Sequence, residues 1–381
     1  MYTLDDICTL ITDGSHFSPE DEGIGYPMLS VKDMGDEDFD FSSCKYVGEE
    51  AYQKLLANGC KPLVNDVVVA KDGSYLKTAF PIKKDREIAL LSSIAILRPD
   101  LSKVNSTYLS YFLKSDFVYR LVSLNYISGT ALKRIILKGI KKIPVDLPTI
   151  DDQLHRVALL DGLSEIIRLR QKELRSLDDL IKARFVEMFA GEKNLMAMSD
   201  ICSIITDGTH QPPKFKEDGI PFIFVSNITN DKLTYEAEKF IDQDTYNELV
   251  KRTPIEIGDV LLSTVGSYGH PAVVKSDKKF LFQRHIAYLK PKREIVDSDY
   301  LHGAILSPGA QRQIEQGVKG IAQKTLNLSE IKKMRIPIPN MDKQKEFATF
   351  VAQVDKSKAQ VQKALDEIQL LFDSLMQEYF G

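Results

Sequence analysis

From Phe347 the apolar positions step alternately four and three along the chain: Val351, Val354, Lys358, Val361, Leu365, Ile368, Phe372, Leu375, Tyr379. That alternation keeps one stripe of a helix turned toward a partner helix, with a single polar break at Lys358. An earlier stretch carries the same rhythm at Leu160, Leu163, Ile167, Arg170, Leu174, Leu177, Ile181, Arg184 and Met188. Each stretch opens after a proline and a polar turn, Pro148 then Asp151-Asp152 and Pro339 then Asp342, which are helix start signals. The polar breaks do not coincide. Arg170 and Arg184 correspond to Val361 and Leu375, whereas Lys358 corresponds to Ile167. Two non-identical stripes predict that the helices pair with each other. The alternative is that each packs only on its own neighbourhood. A helix of some 39 residues covers roughly 58 Å.

Outside these helices the pattern shortens. Val67-Val68-Val69 and Val260-Leu261-Leu262 follow the turns Asn65-Asp66 and Gly258-Asp259, which predicts buried strands. Ile94-Ala95-Ile96-Leu97 and Ile286-Ala287-Tyr288-Leu289 predict further strands, each closed by a basic residue and a proline. Residues 106–124 and 298–316 read as helical.

These elements come in pairs because the chain is duplicated. Residues 6–16, DICTLITDGSH, recur as residues 200–210, DICSIITDGTH, at an offset of 194. The offset slips to 193 at Gly73-Ser74-Tyr75/Gly266-Ser267-Tyr268 and to 192 at Ile94-Ala95/Ile286-Ala287. It settles at 191 for Gly129/Gly320, Gln153/Gln344 and Phe189/Phe380. Single-residue slips are what loop-length changes in a duplicated fold produce, and the period is too long for a solenoid repeat. The expected class is α+β: two tandem homologous globular α/β modules, residues 1–150 and 194–340, with long helices at 151–193 and 341–381. If those helices form an antiparallel coiled coil, the modules are related by a pseudo-two-fold axis at opposite ends of a rod. The expected seam comprises Leu160, Leu163, Ile167, Leu174, Leu177 and Ile181 on one helix. Val351, Val354, Val361, Leu365, Ile368 and Phe372 face them on the other. Pseudo-two-fold DNA readers hold half-sites about 34–36 Å apart, a scale such a rod can reach.

Of 381 residues, 43% are apolar and 27% charged, an ordinary globular composition. No stretch approaches the roughly 18 apolar residues that span a bilayer, and the start lacks the pattern of a signal peptide. Cys8, Cys44, Cys60 and Cys202 form no C-x-x-C pair, so neither zinc nor a disulfide framework is expected, and the expected setting is the cytoplasm. Walker A, dinucleotide-binding, H-E-x-x-H, nucleophile-elbow and amino-methyltransferase signatures are absent. Glu330-Ile331-Lys332 resembles half a nuclease site but lacks an upstream carboxylate. No catalysis, metal or cofactor is expected of this chain.

The net charge of −4 means that any DNA contact must use local positive charge. Residues 114–142 hold seven basic residues, Lys114, Arg120, Lys133, Arg134, Lys138, Lys141 and Lys142, against Asp116 alone. The counterpart 312–335 holds Arg312, Lys319, Lys324, Lys332, Lys333 and Arg335 against Glu315 and Glu330. Recurrence at matching positions favours phosphate neutralisation over a merely solvated face. Polar loops recur beside these patches. Ser128 to Lys133, with Thr130, matches Lys319 to Lys324, with Gln323. Lys71-Asp72-Gly73-Ser74-Tyr75 matches Thr264-Val265-Gly266-Ser267-Tyr268, and Leu91-Ser92-Ser93 matches Gln283-Arg284-His285. Lys, Arg and Gln can read base edges with paired hydrogen bonds. The expected DNA-contacting set is therefore Lys71, Ser74, Tyr75, Ser92, Thr130, Lys133, Arg134, His210, Ser267, Tyr268, Arg284, His285, Lys319, Gln323 and Lys324. The shared Thr-Asp-Gly-x-His motif at residues 12–16 and 206–210 reads first as a structural turn whose glycine supplies positive φ. Phosphate or base contact by its histidine is the alternative.

The duplicated motif, FQRHIAYLKP at 282–291, GIAQKTLNLSEIKKMRIPIP at 320–339 and the helix starts at Gln153 and Gln344 together resemble the specificity subunits of type I restriction–modification systems. The resemblance covers essentially the whole chain. It implies two target recognition domains, each reading half of a split sequence in double-stranded DNA, with the helices as spacer. It further implies docking of modification (methyltransferase) subunits, two being expected, and of restriction subunits in the full complex. S-adenosylmethionine and ATP then belong to the partners. Two other readings remain: a protein–protein interaction scaffold, and the detached recognition part of a single-chain restriction–methylation enzyme.

Overall fold

The computed structural model describes residues 2–72, 77–128, 134–320 and 323–381. It divides into two units, Met1–Leu169 with Ala364–Gly381, and Arg170–Lys363. The fold is α+β, with two copies of one sheet-and-helix plan.

In the first unit a four-stranded antiparallel sheet runs in the order Cys8–Asp13, Ile94–Pro99, Val67–Ala70, Ala79–Pro81. Its central strands lack polar–apolar alternation because both faces are covered. Val67, Val69, Ala95 and Leu97 face a core with Leu4 and Leu109, while Val68, Ile94 and Ile96 face another with Leu29 and Phe80. A second, three-stranded sheet places Tyr26–Leu29 between Lys45–Val47 and Ala89–Leu90. The second unit repeats both sheets. Cys202–Asp207, Ile286–Pro291, Val260–Ser263 and Pro271–Val273 form one, while Phe240–Ile241, Ile220–Ile223 and Leu281–Phe282 form the other.

The basic residue closing each central strand clamps the turn that opens its neighbour. Arg98 donates to both carboxylate oxygens of the buried Asp66 at 2.8 Å, while Asp66 accepts from Leu63 N. In the second unit the buried Asp259 accepts from Tyr288 Oη at 2.7 Å and lies 3.5 Å from Lys290 Nζ. Residues 106–124 and 298–316, read as helical, each form two helices. Ser106–Lys114 and Asp116–Asn125 meet at Ser115, and Ser298–Leu306 and Pro308–Gly317 meet at Ser307. Each serine adopts extended backbone and caps the following helix through its hydroxyl, accepting from Val118 N and Ala310 N. Glu330 lies in the short helix Leu328–Lys333 and pairs with Lys333 at 3.3 Å.

The long helices run from Ile150 to Phe189 and from Met341 to Phe380. Their apolar stripes are the shielded positions: every seam residue from Leu160 to Met188 and from Val351 to Tyr379 is buried or half-buried, between exposed neighbours. In the first unit Leu160 and Val157 pack in one core with Phe372, Leu375 and Phe380, and the Arg156 guanidinium lies 4.8 Å above the Tyr379 ring. In the second unit Phe185 and Phe189 pack on Phe347. There Lys358 pairs with Asp178, and Arg184 reaches Glu346 at 3.4 Å. Residue numbers rise along one helix as they fall along the other, so this packing is antiparallel. The polar breaks Arg184 and Lys358 find acidic partners rather than apolar ones.

Gln153 and Gln344, fully buried, fasten each long helix to its module. Gln153 Oε1 accepts from Asn105 N at 2.9 Å, and its amide donates to Lys103 O and Pro148 O, both at 3.0 Å. Gln344 repeats the pattern with Asp297 N at 2.9 Å, Ile295 O at 3.0 Å and Pro339 O at 2.9 Å. Asn105 and Asp297 are themselves the N-caps of the first helix of each broken pair.

Candidate nucleic-acid interface

The Thr-Asp-Gly-x-His motif closes the edge strand of each four-stranded sheet and turns onto the three-stranded one. Gly14 N donates to Ile94 O at 3.2 Å and Ser15 N to Leu90 O at 2.8 Å, while Ser15 O accepts from Ser92 N at 2.9 Å. Gly208 N donates to Ile286 O at 3.2 Å, Thr209 N to Phe282 O at 2.9 Å, and Thr209 O accepts from Arg284 N at 3.1 Å. The expected role of the motif glycine is corrected here: neither Gly14 nor Gly208 has positive φ. Glycine is required because the facing backbone is too close. A Cβ at Gly14 would lie 2.1 Å from Leu90 O, and one at Gly208 2.2 Å from Phe282 O.

The motif aspartate is the hub of the site, and each copy is held by its own histidine plus a distant cation. Asp13 pairs with Lys71 and lies 3.5 Å from His16. Asp207 lies 2.9 Å from His210 and 2.5 Å from Arg252. The cations are not equivalent: Lys71 follows the central strand Val67–Ala70, whereas Arg252 follows the helix Gln243–Leu249. This corrects the expectation for Lys71. Its side chain is only 6% exposed and its ammonium is spent on Asp13, so it braces the motif from beneath.

Around the first hub the structure gathers Ser92 and Arg134. Lys71 O accepts from Ile135 N at 3.1 Å, and Arg134 forks onto Asp72 at 2.7 and 2.9 Å, half-exposed. Ser74, Tyr75, Thr130 and Lys133 lie outside the described residues.

Around the second hub an open groove of about 430 Å³ brings Arg284, His285 and Gln323 together with Asp207, Thr264 and Thr325. Three stretches far apart in the chain converge through the backbone: Thr264 N donates to His285 O at 2.9 Å and Leu326 N to Thr264 O at 2.8 Å. Arg284 and Gln323 are exposed. Burial and the Arg284 charge push the His285 imidazole below its ordinary pKa, which favours the neutral ring. Lys319 and Lys324 flank this groove, exposed on and beside the hairpin Val318-Lys319/Thr325-Leu326. Ser267 lines a separate groove with Asp178, Asp231 and His270, and Tyr268 packs half-buried against the module core. Those two residues stand apart from the Arg284 cluster. Sequence reasoning missed Arg252, Lys214 and Lys251, which line the wall of a third groove beside His210. Arg252 has Asn58 at the corresponding position of the first module, so the duplication gave no sign of it.

Among the described residues no three His, Cys, Asp or Glu side chains gather as metal ligands do. Among those residues, too, no helix is long and apolar enough to cross a membrane.

A duplicated sheet framework that holds a differently decorated polar surface in each copy defines a class of paired recognition modules. A family model described as the type I restriction modification DNA specificity domain matches residues 1–178 and again residues 192–370, and the chain belongs to that family. The type I restriction enzyme EcoBI specificity subunit of Escherichia coli is 29% identical over 177 residues, covering 45% of this chain and 37% of the relative. The MjaVIII specificity subunit of Methanocaldococcus jannaschii is 20% identical over 376 residues, covering 90% of this chain and 87% of the relative. Two solved structures share the fold. One comes from work on complex assembly and conformational transition of the type I R-M system, with TM-score 0.56, 16% identity, and coverage of 99% of this chain and 96% of that one. The other is the S subunit from M. genitalium, with TM-score 0.54, 14% identity, and coverage of 100% and 95%. The family is described by DNA specificity rather than by a catalytic step.

Proposed function

We propose that this chain is the non-catalytic, DNA-reading subunit of a type I restriction–modification complex. Each module reads one half of a bipartite target in double-stranded DNA. The paired helices set the unread length between the halves and present the surface on which two modification subunits dock, restriction subunits joining in the full complex. S-adenosylmethionine and ATP are handled by those partners, in the cytoplasm. One observation carries this reading: the same backbone framework around the motif hub presents Ser92 and Arg134 in one copy but Arg284, His285 and Gln323 in the other. Like frameworks with unlike outward side chains suit two readers of different sequences. Arginine and glutamine are side chains that pair with guanine and adenine edges in the major groove.

The test is a salt titration of DNA binding by the chain with and without its modification partner. A steep fall in affinity with salt, and methyl transfer only when the partner is present, is the expected result. Salt-independent binding would favour a protein–protein scaffold. Methyl transfer by the isolated chain would establish the single-chain enzyme reading.

A further inference from the structure

The third groove, of about 510 Å³, adjoins the Arg284 groove through the motif hub, because His210 and Arg252, which hold Asp207, form part of its wall. Lys214 and Lys251 complete that wall, both exposed. Neither has an ion-pair or hydrogen-bond partner among the described residues. Arg252, by contrast, is oriented by Asp207 on one side and remains half-exposed on the other. Glu248 is the one acid along this wall.

The corresponding surface of the first module lacks this net positive charge. At an offset of 194 the counterparts of Lys214, Glu248, Lys251 and Arg252 are Glu20, Lys54, Ala57 and Asn58, and Lys54 is paired with Glu50 at 2.7 Å. The loop after the first motif carries Glu20, Asp21 and Glu22. Asp21 and Glu22 are tied down, accepting from Tyr46 N and Gly48 N at 3.0 Å each. The loop after the second motif carries Lys214 and Lys216 followed by Glu217 and Asp218, and Lys216 lies 3.8 Å from Asp242. The positive wall is thus particular to the second copy and not part of the shared framework.

We propose that this groove is a phosphodiester-binding site of the second module alone. Lys214, Lys251 and the outer edge of Arg252 hold the DNA backbone next to the bases addressed by the Arg284 groove. The inference rests on the DNA-reading function proposed above, and adds that the two modules grip the backbone unequally. The physical case is that phosphate contacts fix register while base contacts specify. Unpaired exposed lysines can take phosphates without breaking an internal ion pair, and an acid-rich loop at the same place repels them.

The test uses the full chain assembled with its modification partner, comparing the wild type with Lys214→Ala/Lys251→Ala, Lys214→Arg/Lys251→Arg and Glu20→Gln. The slope of log affinity against log salt is expected to become shallower by about 1.8 in the alanine pair, about 0.9 for each lost phosphate contact. Sequence preference and melting temperature should hold. The arginine pair should keep the wild-type slope, and Glu20→Gln should not steepen it by a full contact. An unchanged slope in the alanine pair, in a wild type that does bind with salt dependence, overturns the site. So does a changed sequence preference at constant slope, which would make the groove a base reader. A wild type whose binding ignores salt would instead remove the DNA-reading proposal beneath it.

Discussion

Asp13 and Asp207 occupy the same place in two copies of a fold, yet one takes its distant cation from a lysine after a strand and the other from an arginine after a helix. The motif itself was legible, since eleven residues recur almost unchanged. Its cation was not, because the partner lies 58 residues on from Asp13 in one case and 45 from Asp207 in the other. The glycine was legible as a turn residue, but it is required for another reason: sequence cannot show a carbonyl 2.2 Å from an absent Cβ. Gly208→Ala should therefore destabilise the fold by about 1–3 kcal/mol, as overpacking against rigid backbone does, read from the urea midpoint. A midpoint equal to wild type would mean the strands part freely there. The reading surface makes its own prediction. Gln323→Ala with Lys324→Ala should relax recognition of one half-site only, by about 1–3 kcal/mol for a lost paired contact, measured on DNA carrying substitutions in either half. Equal loss at both halves would refute modular reading. His302 gives a pH signature. Burial holds its imidazole below the ordinary value despite its contact at 2.9 Å with Asp231 O. The unfolded chain therefore takes up a proton first, so stability is full above about pH 6.5 and falls as the pH drops below it. Chemical denaturation between pH 8 and 5 should show this fall, and His302→Gln should flatten it.

Among the elements, the long helices were the most legible, because the heptad stripe is a periodic signal sustained over four heptads, from Leu160 to Met188 and from Val351 to Tyr379. The breaks at Ser115 and Ser307 were harder to see. A serine before Asp116 or Pro308 is a cap signal, but one hidden inside a continuous apolar pattern. The clasp at the helix starts was visible only as a recurring glutamine. Its purpose emerges from the three backbone groups it satisfies in each copy. Gln344→Leu leaves Asp297 N–H, Ile295 O and Pro339 O without the amide in a buried place, at a cost of about 3 kcal/mol or more, since each unsatisfied group costs roughly 1–3 kcal/mol. Thermal melting should fall accordingly. A loss below about 0.5 kcal/mol would mean water replaces the amide.

For the whole chain, the duplication was read from offsets alone, and the family match over both halves agrees with it. The groove lining was out of reach, because residues 207, 264, 284 and 323 meet only through strand pairing that no local pattern encodes. The central claim is that two modules read separate halves at a distance the helices set. It is tested most directly by mapping methylated adenines in DNA from cells expressing this chain with its modification partner, with and without four residues inserted in helix 150–189. The account predicts a two-part target whose gap lengthens on insertion while both half-sequences stay the same. A single contiguous target, or a gap unmoved by the insertion, would contradict it.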